Sequence, residues 1–499
     1  MIFFEDATAT AAKIRKGEYT VSALTNEVIA TIRAENKTLN AVTDLQQPPA
    51  LQVAERADKM LARLSAQARA DLPPFFGVPI LLKDLGDAQK GMPLTNGSRL
   101  MRSHVAARTD RYVQALLQAG FLVIGRTNAP EFGVKTISDA EVYGPVSSPL
   151  DLARNPGGSS GGAAAAVKAG WVPLASASDG GGSIRVPAGL NGLIGLKPTR
   201  GRTPAGPGNY RRWQGAAISF ALTKTVRDTM TLLTTVQERS LSYPFPLPPL
   251  AMAPDQLVNR RPLKIAWSAE NPVGGETSAE AKAALAQTVS ILSDMGHHLE
   301  EKTLPTDGIA ALKAYYLVNA VEMAANIDSI GQMLGRPVTK KDLEATTWAW
   351  YRAGFKVSGL DYTRALQVWD HCSITIESFL EDYDLYLTPT TNEPAPVQNR
   401  FALSPEMADK LYAIDDLPFA KQQALIWEAF ADLLAYAPFT QQANIGGQPA
   451  ISLPLYENEA GLPLGLQFMG KKGAEPLLLA LAHQLEAAGA LTVKVTPLL

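Results

Sequence analysis

Residues 155–195 read NPGGSSGGAAAAVKAGWVPLASASDGGGSIRVPAGLNGLIG, with two serines, Ser159 and Ser183, each embedded in glycine and 24 positions apart. Glycine beside a serine removes the Cβ atoms that would hold a ligand carbonyl away from the backbone, and it admits backbone angles closed to other residues. Between the two clusters Ala163 to Gly170 reads as a helix, because four consecutive alanines have high helix propensity and Gly170 is a natural stop. Trp171 to Ser176 reads as a short buried strand. Asp179-Gly180-Gly181-Gly182-Ser183 is then a tight turn delivering Ser183 to a new helix, with a run of backbone amides aimed at an anion. A flexible Gly/Ser linker is one competing reading, opposed by the apolar, regular surroundings. A phosphate-binding loop is another, opposed because no Gly-Lys-Ser/Thr follows GGSSGG and no well-spaced GxGxxG opens a helix.

Working outward, Phe75 to Asp84 reads as a buried strand whose apolar run ends at Lys83. A lysine there is costly unless paired or neutral; one that snorkels from a strand end is an equally weighted alternative. Arg111 to Ala119 carries Val113, Leu116 and Leu117 on one helical face, and Phe121 to Thr127 follows as a second buried strand. Strand, helix and strand thus alternate as in an α/β sheet. Glu131, on the turn that follows, reads as a surface charge in preference to part of a cleft wall.

The 499 residues allow a large core, either as two to four domains or as one long α/β unit. With 46 Lys and Arg against 48 Asp and Glu, the net charge of -2 supplies no basic field for nucleic acid or an anionic membrane. A small neutral or weakly charged partner is the natural expectation. The single cysteine, Cys372, excludes an internal disulfide and a Cys-rich metal site, which fits a reducing cytoplasm. No apolar run approaches the roughly 18 residues of a membrane helix, and the N-terminus lacks the pattern of a signal peptide. The five histidines, at 104, 297, 298, 371 and 483, stand in no triad or metal spacing.

Elsewhere, two amphipathic helices are expected between Asp6 and about Val42 and a third from Leu51 to about Leu64. Thr223 to Val236 reads as a helix. Ser242 to Pro254, with prolines at 244, 246, 248, 249 and 254, is the best linker. Leu263 to Trp267 opens another α/β passage, with a helix from Ser278 to about Met295. Leu312–Leu334 and Lys341–Trp369 read as long helices whose aromatics, Tyr315, Tyr316, Trp348, Trp350 and Tyr351, are packing residues, some lining a cleft. Tyr386–Thr390, Ala450–Leu455 and Leu464–Met469 read as late strands, and Pro476–Ala488 as the closing helix.

A serine enzyme without a histidine–aspartate pair needs another base, and a buried lysine can serve. PFFGVPILLKD, GGSSGGAAAAV, SDGGGSIRVPAGLNGLIGLKPTRGR and ISLPL, in that order, resemble the motifs of the amidase signature family. The resemblance implies a Ser-Ser-Lys triad on Ser183 as nucleophile, Ser159 as bridging serine and Lys83 as base. It further implies an oxyanion hole from the amides of Gly180, Gly181, Gly182 and Ser183, with Asp179, Arg185 and Ser160 in support and a cis peptide entering Ser159. The fold implied is one α/β unit, a mixed twisted central sheet covered by helices on both faces. Within 1–499 it would comprise a helical lead-in (1–74), a catalytic core (75–241), a largely helical cleft cap (255–437) and a return to the core (438–499). No metal and no organic cofactor are implied. The expected partner is a small amide in the cytoplasm, without nucleic acid or membrane, and since family members are often dimers, a homodimer is the assembly to test.

A further resemblance, to the 6-aminohexanoate cyclic-dimer hydrolases within that family, is carried by Asn271–Gly274, Gly335–Thr339, Thr347-Trp348 and Phe439–Ala450. Where that subfamily can carry a substrate-contacting cysteine this chain has Asn319, which marks Asn319 as a candidate substrate contact. An amidase subunit of a tRNA-dependent amidotransferase and a non-catalytic binding protein on the same fold are the two alternatives.

Overall fold

The computed structural model describes residues 3, 5–250 and 261–498. Its centre is one mixed sheet of 11 strands in the order β1-β3-β2-β4-β6-β5-β10-β11-β9-β7-β8. In chain order the strands are β1 (Val42–Leu45), β2 (Pro79–Lys83), β3 (Leu122–Thr127), β4 (Ala175–Asp179), β5 (Ile194–Lys197), β6 (Ile218–Thr223), β7 (Lys264–Trp267), β8 (His298–Glu301), β9 (Leu385–Pro389), β10 (Ala450–Leu453) and β11 (Leu466–Met469). Parallel pairing joins β3, β2 and β4, and again β9, β7 and β8, while the middle of the sheet is antiparallel. Strands from the stretch anticipated as a largely helical cap therefore extend the same sheet: β7, β8 and β9 all fall between 261 and 437.

The parallel strands β3, β2 and β4 are buried along their whole length, as sheets covered by helices are. Helix Gly161–Lys168 begins at the serine cluster and is buried at every residue. Its small side chains let the backbone lie close to the sheet, and a Cβ at Gly162 would stand 2.5 Å from the Ala41 carbonyl oxygen. The helices expected near the N-terminus form as Ala7–Lys16 and Val21–Leu39, capped by Asp6 and Thr20.

The strand expected at Trp171–Ser176 lies further on, at Ala175–Asp179. Trp171 instead turns its indole N–H to Glu35 Oε2 at 2.6 Å, and Pro173 has no N–H for a ladder. The shift brings Ser176 and Ser178 into the sheet directly beside Lys83. Of the proline-rich stretch Ser242–Pro254, residues 251–254 lie outside the described residues. Its described part is laid on the core: Tyr243 is buried, and the Phe245 ring lies 5.6 Å from the Arg200 guanidinium.

A second apolar cluster lies in the helices Gly308–Leu334, Ala345–Gly354, Gly359–Phe379 and Phe419–Tyr436. Tyr316 packs edge-on against Trp350 at 5.5 Å, and Phe430 lies 5.4 Å from both. Among the described residues no helix is long and apolar enough to cross a membrane.

Candidate active site

Three loops that leave the sheet meet around one cavity of about 1060 Å³, lined among others by Ser159, Ser178, Gly180, Gly181 and Ser183. Lys83, the last residue of β2, is fully buried and donates from Nζ to Ser159 Oγ at 2.7 Å. The same ammonium nitrogen reaches Ser178 Oγ at 3.1 Å and the Ser178 carbonyl at 3.3 Å. Burial disfavours the charged form and brings the Lys83 pKa down to about 7, although the carboxylates of Asp87 and Asp179 pull the other way. The peptide Gly158–Ser159 is cis.

Ser160 makes no hydrogen bond to Lys83. It donates to the Ser178 carbonyl at 3.3 Å and accepts from the Ser178 amide at 3.4 Å, so it fixes the strand that carries Lys83's other contacts.

Ser183 lines the same cavity at the head of helix Arg185–Asn191. Its hydroxyl makes no hydrogen bond among the described residues, so the link from Ser159 to Ser183 is open here. Such bonds commonly tighten only when substrate is bound. Asp179 organises the intervening turn: its Oδ1 accepts from the Gly182 amide at 2.7 Å, and its Oδ2 accepts from the Ile184 amide at 3.1 Å. The Gly182 amide is therefore occupied, whereas Gly180, Gly181 and Ser183 line the cavity with amides that meet no acceptor among the described residues. Gly182 has φ +126°, in a region closed to other side chains.

Asp179 and Arg185 are a wholly buried ion pair with two bonds, 2.9 Å each. Burial alone would raise the Asp179 pKa, but the Arg185 charge and hydrogen bonds and the Asn444 amide hold it well below the usual carboxylate range. Arg185 spends its remaining donors on the Thr440 carbonyl at 2.7 Å, Gln467 Oε1 at 2.5 Å and Asn444 Oδ1 at 2.5 Å. From the far wall Tyr315 Oη donates to the Gly180 carbonyl at 2.8 Å and Thr440 Oγ1 to the Gly181 carbonyl at 2.7 Å. Removing half of a buried pair leaves an uncompensated charge, so Asp179→Asn is expected to lower stability by about 3–5 kcal/mol in urea unfolding at neutral pH. A loss below about 1 kcal/mol would show that the pair is not what holds the turn.

A family model described as Amidase matches residues 23–479. The chain belongs to the amidase family. It is 33% identical to a 6-aminohexanoate-cyclic-dimer hydrolase of Paenarthrobacter ureafaciens, over 97% of this amidase and 95% of that protein. It is 38% identical to a lipoamidase of Enterococcus faecalis over 97% of its own length, and it spans 63% of that longer protein. A solved 6-aminohexanoate cyclic dimer hydrolase complexed with substrate superimposes with a TM-score of 0.85, 31% identity and 99% of each chain covered. The amidase is accordingly a hydrolase of carbon–nitrogen bonds on the fold the motifs implied.

Two expectations about single residues differ from what the amidase shows. Glu131 is no surface charge: it is 1% exposed, accepts from Ser98 Oγ at 2.6 Å and from the Glu344 amide at 2.8 Å. Burial, reinforced by the neighbouring Glu344 carboxylate, brings its pKa up to about 7. Its place is a tie between the loop carrying Phe132 and Gly133, which line the cavity, and the start of helix Ala345–Gly354. Asn319 does not line the cavity; it is fully buried one helical turn beyond Tyr315, beside that phenol.

Two further residues, Asp87 and Arg126, support the site of the amidase without a reading from the sequence. Asp87, fully buried, accepts from Ser176 Oγ at 2.6 Å and from Ser219 Oγ at 3.0 Å and faces Lys83 electrostatically. Arg126 donates to the carbonyls of Lys83 at 3.0 Å and Asp87 at 3.2 Å and so fixes the end of β2. The available signal was a buried-strand arginine in FLVIGRT and an aspartate four residues after the lysine.

Proposed function

We propose that this amidase opens small linear or cyclic amides through an acyl-enzyme on Ser183, with 6-aminohexanoate oligomers, including the cyclic dimer, as the substrate class. The observation that carries the reading is the 2.7 Å bond from a fully buried Lys83 to Ser159 at the edge of the cavity that holds Ser183. Neutral Lys83 takes the Ser159 proton while Ser159 takes that of Ser183, and the Ser183 oxygen attacks the amide carbonyl carbon. The amides of Gly180, Gly181 and Ser183 receive the oxyanion, with Gly182 serving the turn through Asp179. The carbon–nitrogen bond breaks as the relay returns the proton to the amine, and water repeats the sequence to release the acid and restore Ser183. The substrate class rests on the similarity of the whole chain to the cyclic-dimer hydrolases. Incubation with the cyclic dimer, linear oligomers and simple aryl amides, read by mass spectrometry, tests it. Release of amine from the aryl amides alone would remove the oligomers from the proposal.

The pH dependence follows from the base. A protonated Lys83 cannot accept a proton, so kcat/KM is expected to rise with pH through about 7 as one proton leaves, and to level above it. A limb near the ordinary lysine value of 10.5 would mean that the lysine is not neutral in the working enzyme.

A further inference from the structure

Helix Gly308–Leu334 forms one wall of the cavity, and two of its residues lie on one face, seven positions apart. Tyr315 reaches Gly180 at the reacting end. Glu322 lies two turns on, and its carboxylate is half dressed: Gln214 Nε2 donates to Oε1 at 2.8 Å and Tyr362 Oη donates to the same oxygen at 3.0 Å. Oε2 has no hydrogen-bond partner among the described residues, and Glu322 lines the cavity. The nearby cation Arg211 makes no ion pair with it among the described residues; its guanidinium lies 5.5 Å from the Phe245 ring. A carboxylate oriented through one oxygen, with the other open to a cavity, is a receptor for a hydrogen-bonding cation.

Length then selects the cation. Seven helical residues advance about 10.5 Å along the axis. An extended chain of six bonds from a carbonyl carbon to a terminal nitrogen covers roughly 7–8 Å on ordinary covalent bond lengths. A charge-assisted contact adds about 2.8 Å. The sum is comparable with that axial rise, and Tyr316, Trp350 and Met323 line the same cavity for a methylene chain.

We propose that Glu322 is a specificity-determining residue that holds the terminal ammonium of a linear ω-aminoacyl amide about six bonds from the scissile carbonyl. This deepens the amide-hydrolase reading and rests on it. It sets a substrate with a free ammonium apart from a neutral acyl chain of equal length, because desolvating an ammonium beside an apolar wall requires a partner.

The test compares 6-aminohexanoyl p-nitroanilide with hexanoyl p-nitroanilide in wild type, Glu322→Gln and Glu322→Lys. Wild type is expected to favour the aminoacyl substrate at least tenfold in kcat/KM. Glu322→Gln should collapse that ratio to within about threefold, chiefly through KM. Glu322→Lys should invert it. If Glu322 only ties the Gln214 segment to the helix, both substrates decline together and the ratio stays put, which overturns the proposal. A wild type that does not discriminate also overturns it. Failure of the underlying reading looks different: neither anilide is cleaved, or both are cleaved equally well by Ser183→Ala.

Discussion

Ser183→Ala is expected to lower kcat on any amide substrate by about 10⁴–10⁶-fold while leaving the folded protein nearly as stable as wild type. The two halves of this expectation have separate causes. Loss of the nucleophile removes the acyl-enzyme route altogether, and the residual rate is whatever the oxyanion amides and substrate binding still supply. Stability is spared because the Ser183 hydroxyl makes no hydrogen bond among the described residues, so no buried partner is stranded by its removal. The contrast with Asp179, four positions earlier, is the control: that carboxylate accepts from the Gly182 and Ile184 amides and from Asn444 Nδ2, and it pairs with Arg185. Turnover and labelling by a fluorophosphonate probe are the measurements. A variant that keeps wild-type turnover, or is still labelled at the same peptide, would dismiss Ser183 as the nucleophile.

What the sequence disclosed follows from where its physics is local. Glycine flanking each serine, the alanine run between them and the apolar run into Lys83 all report on their own neighbourhoods, and helix Gly161–Lys168, strand β2 and the turn at 179–183 formed accordingly. Strand β4 was displaced because its residues, ASASD, carry no apolar pattern. They are buried by virtue of being small and of bonding to Lys83 at the end of β2 and to Asp87 in the loop after it. Strand β8, HLEE, went unread for the opposite reason: it is a mostly exposed edge strand, with no buried face to impose a period. Glu131 was misjudged because its partners, Ser98 and Glu344, lie 33 and 213 residues away, beyond any window. The capping helices present the same difficulty, since Tyr315 and Glu322 read as helix residues and acquire a cavity only when the sheet has closed beneath them.

Replacing Lys83 with methionine is expected to cut amide hydrolysis sharply and at the same time to stabilise the protein at mildly acidic pH. The lysine pKa falls from its ordinary 10.5 to about 7 on folding. Between those values the unfolded chain holds a proton that the folded protein does not, so the stability of the wild type rises with pH across that window. Below pH 7 the full handicap is in force, on the order of 5 kcal/mol at 1.36 kcal/mol per pKa unit. Methionine fills a similar volume without charge and removes the handicap, but it forfeits bonds to Ser159 and Ser178 that are worth about 1 kcal/mol each. The net expectation is a variant more stable than wild type by about 1–3 kcal/mol near pH 6, with the gap closing toward pH 10 as the unfolded lysine also loses its proton. The activity loss, about 10³–10⁴-fold, has the same origin, because the environment that destabilises the ammonium is the one that makes it a base at neutral pH. Urea titrations at the two pH values separate this from ordinary core damage: a variant less stable than wild type at pH 6 would mean that Lys83 is not held against its own charge, and the proton relay would have no acceptor.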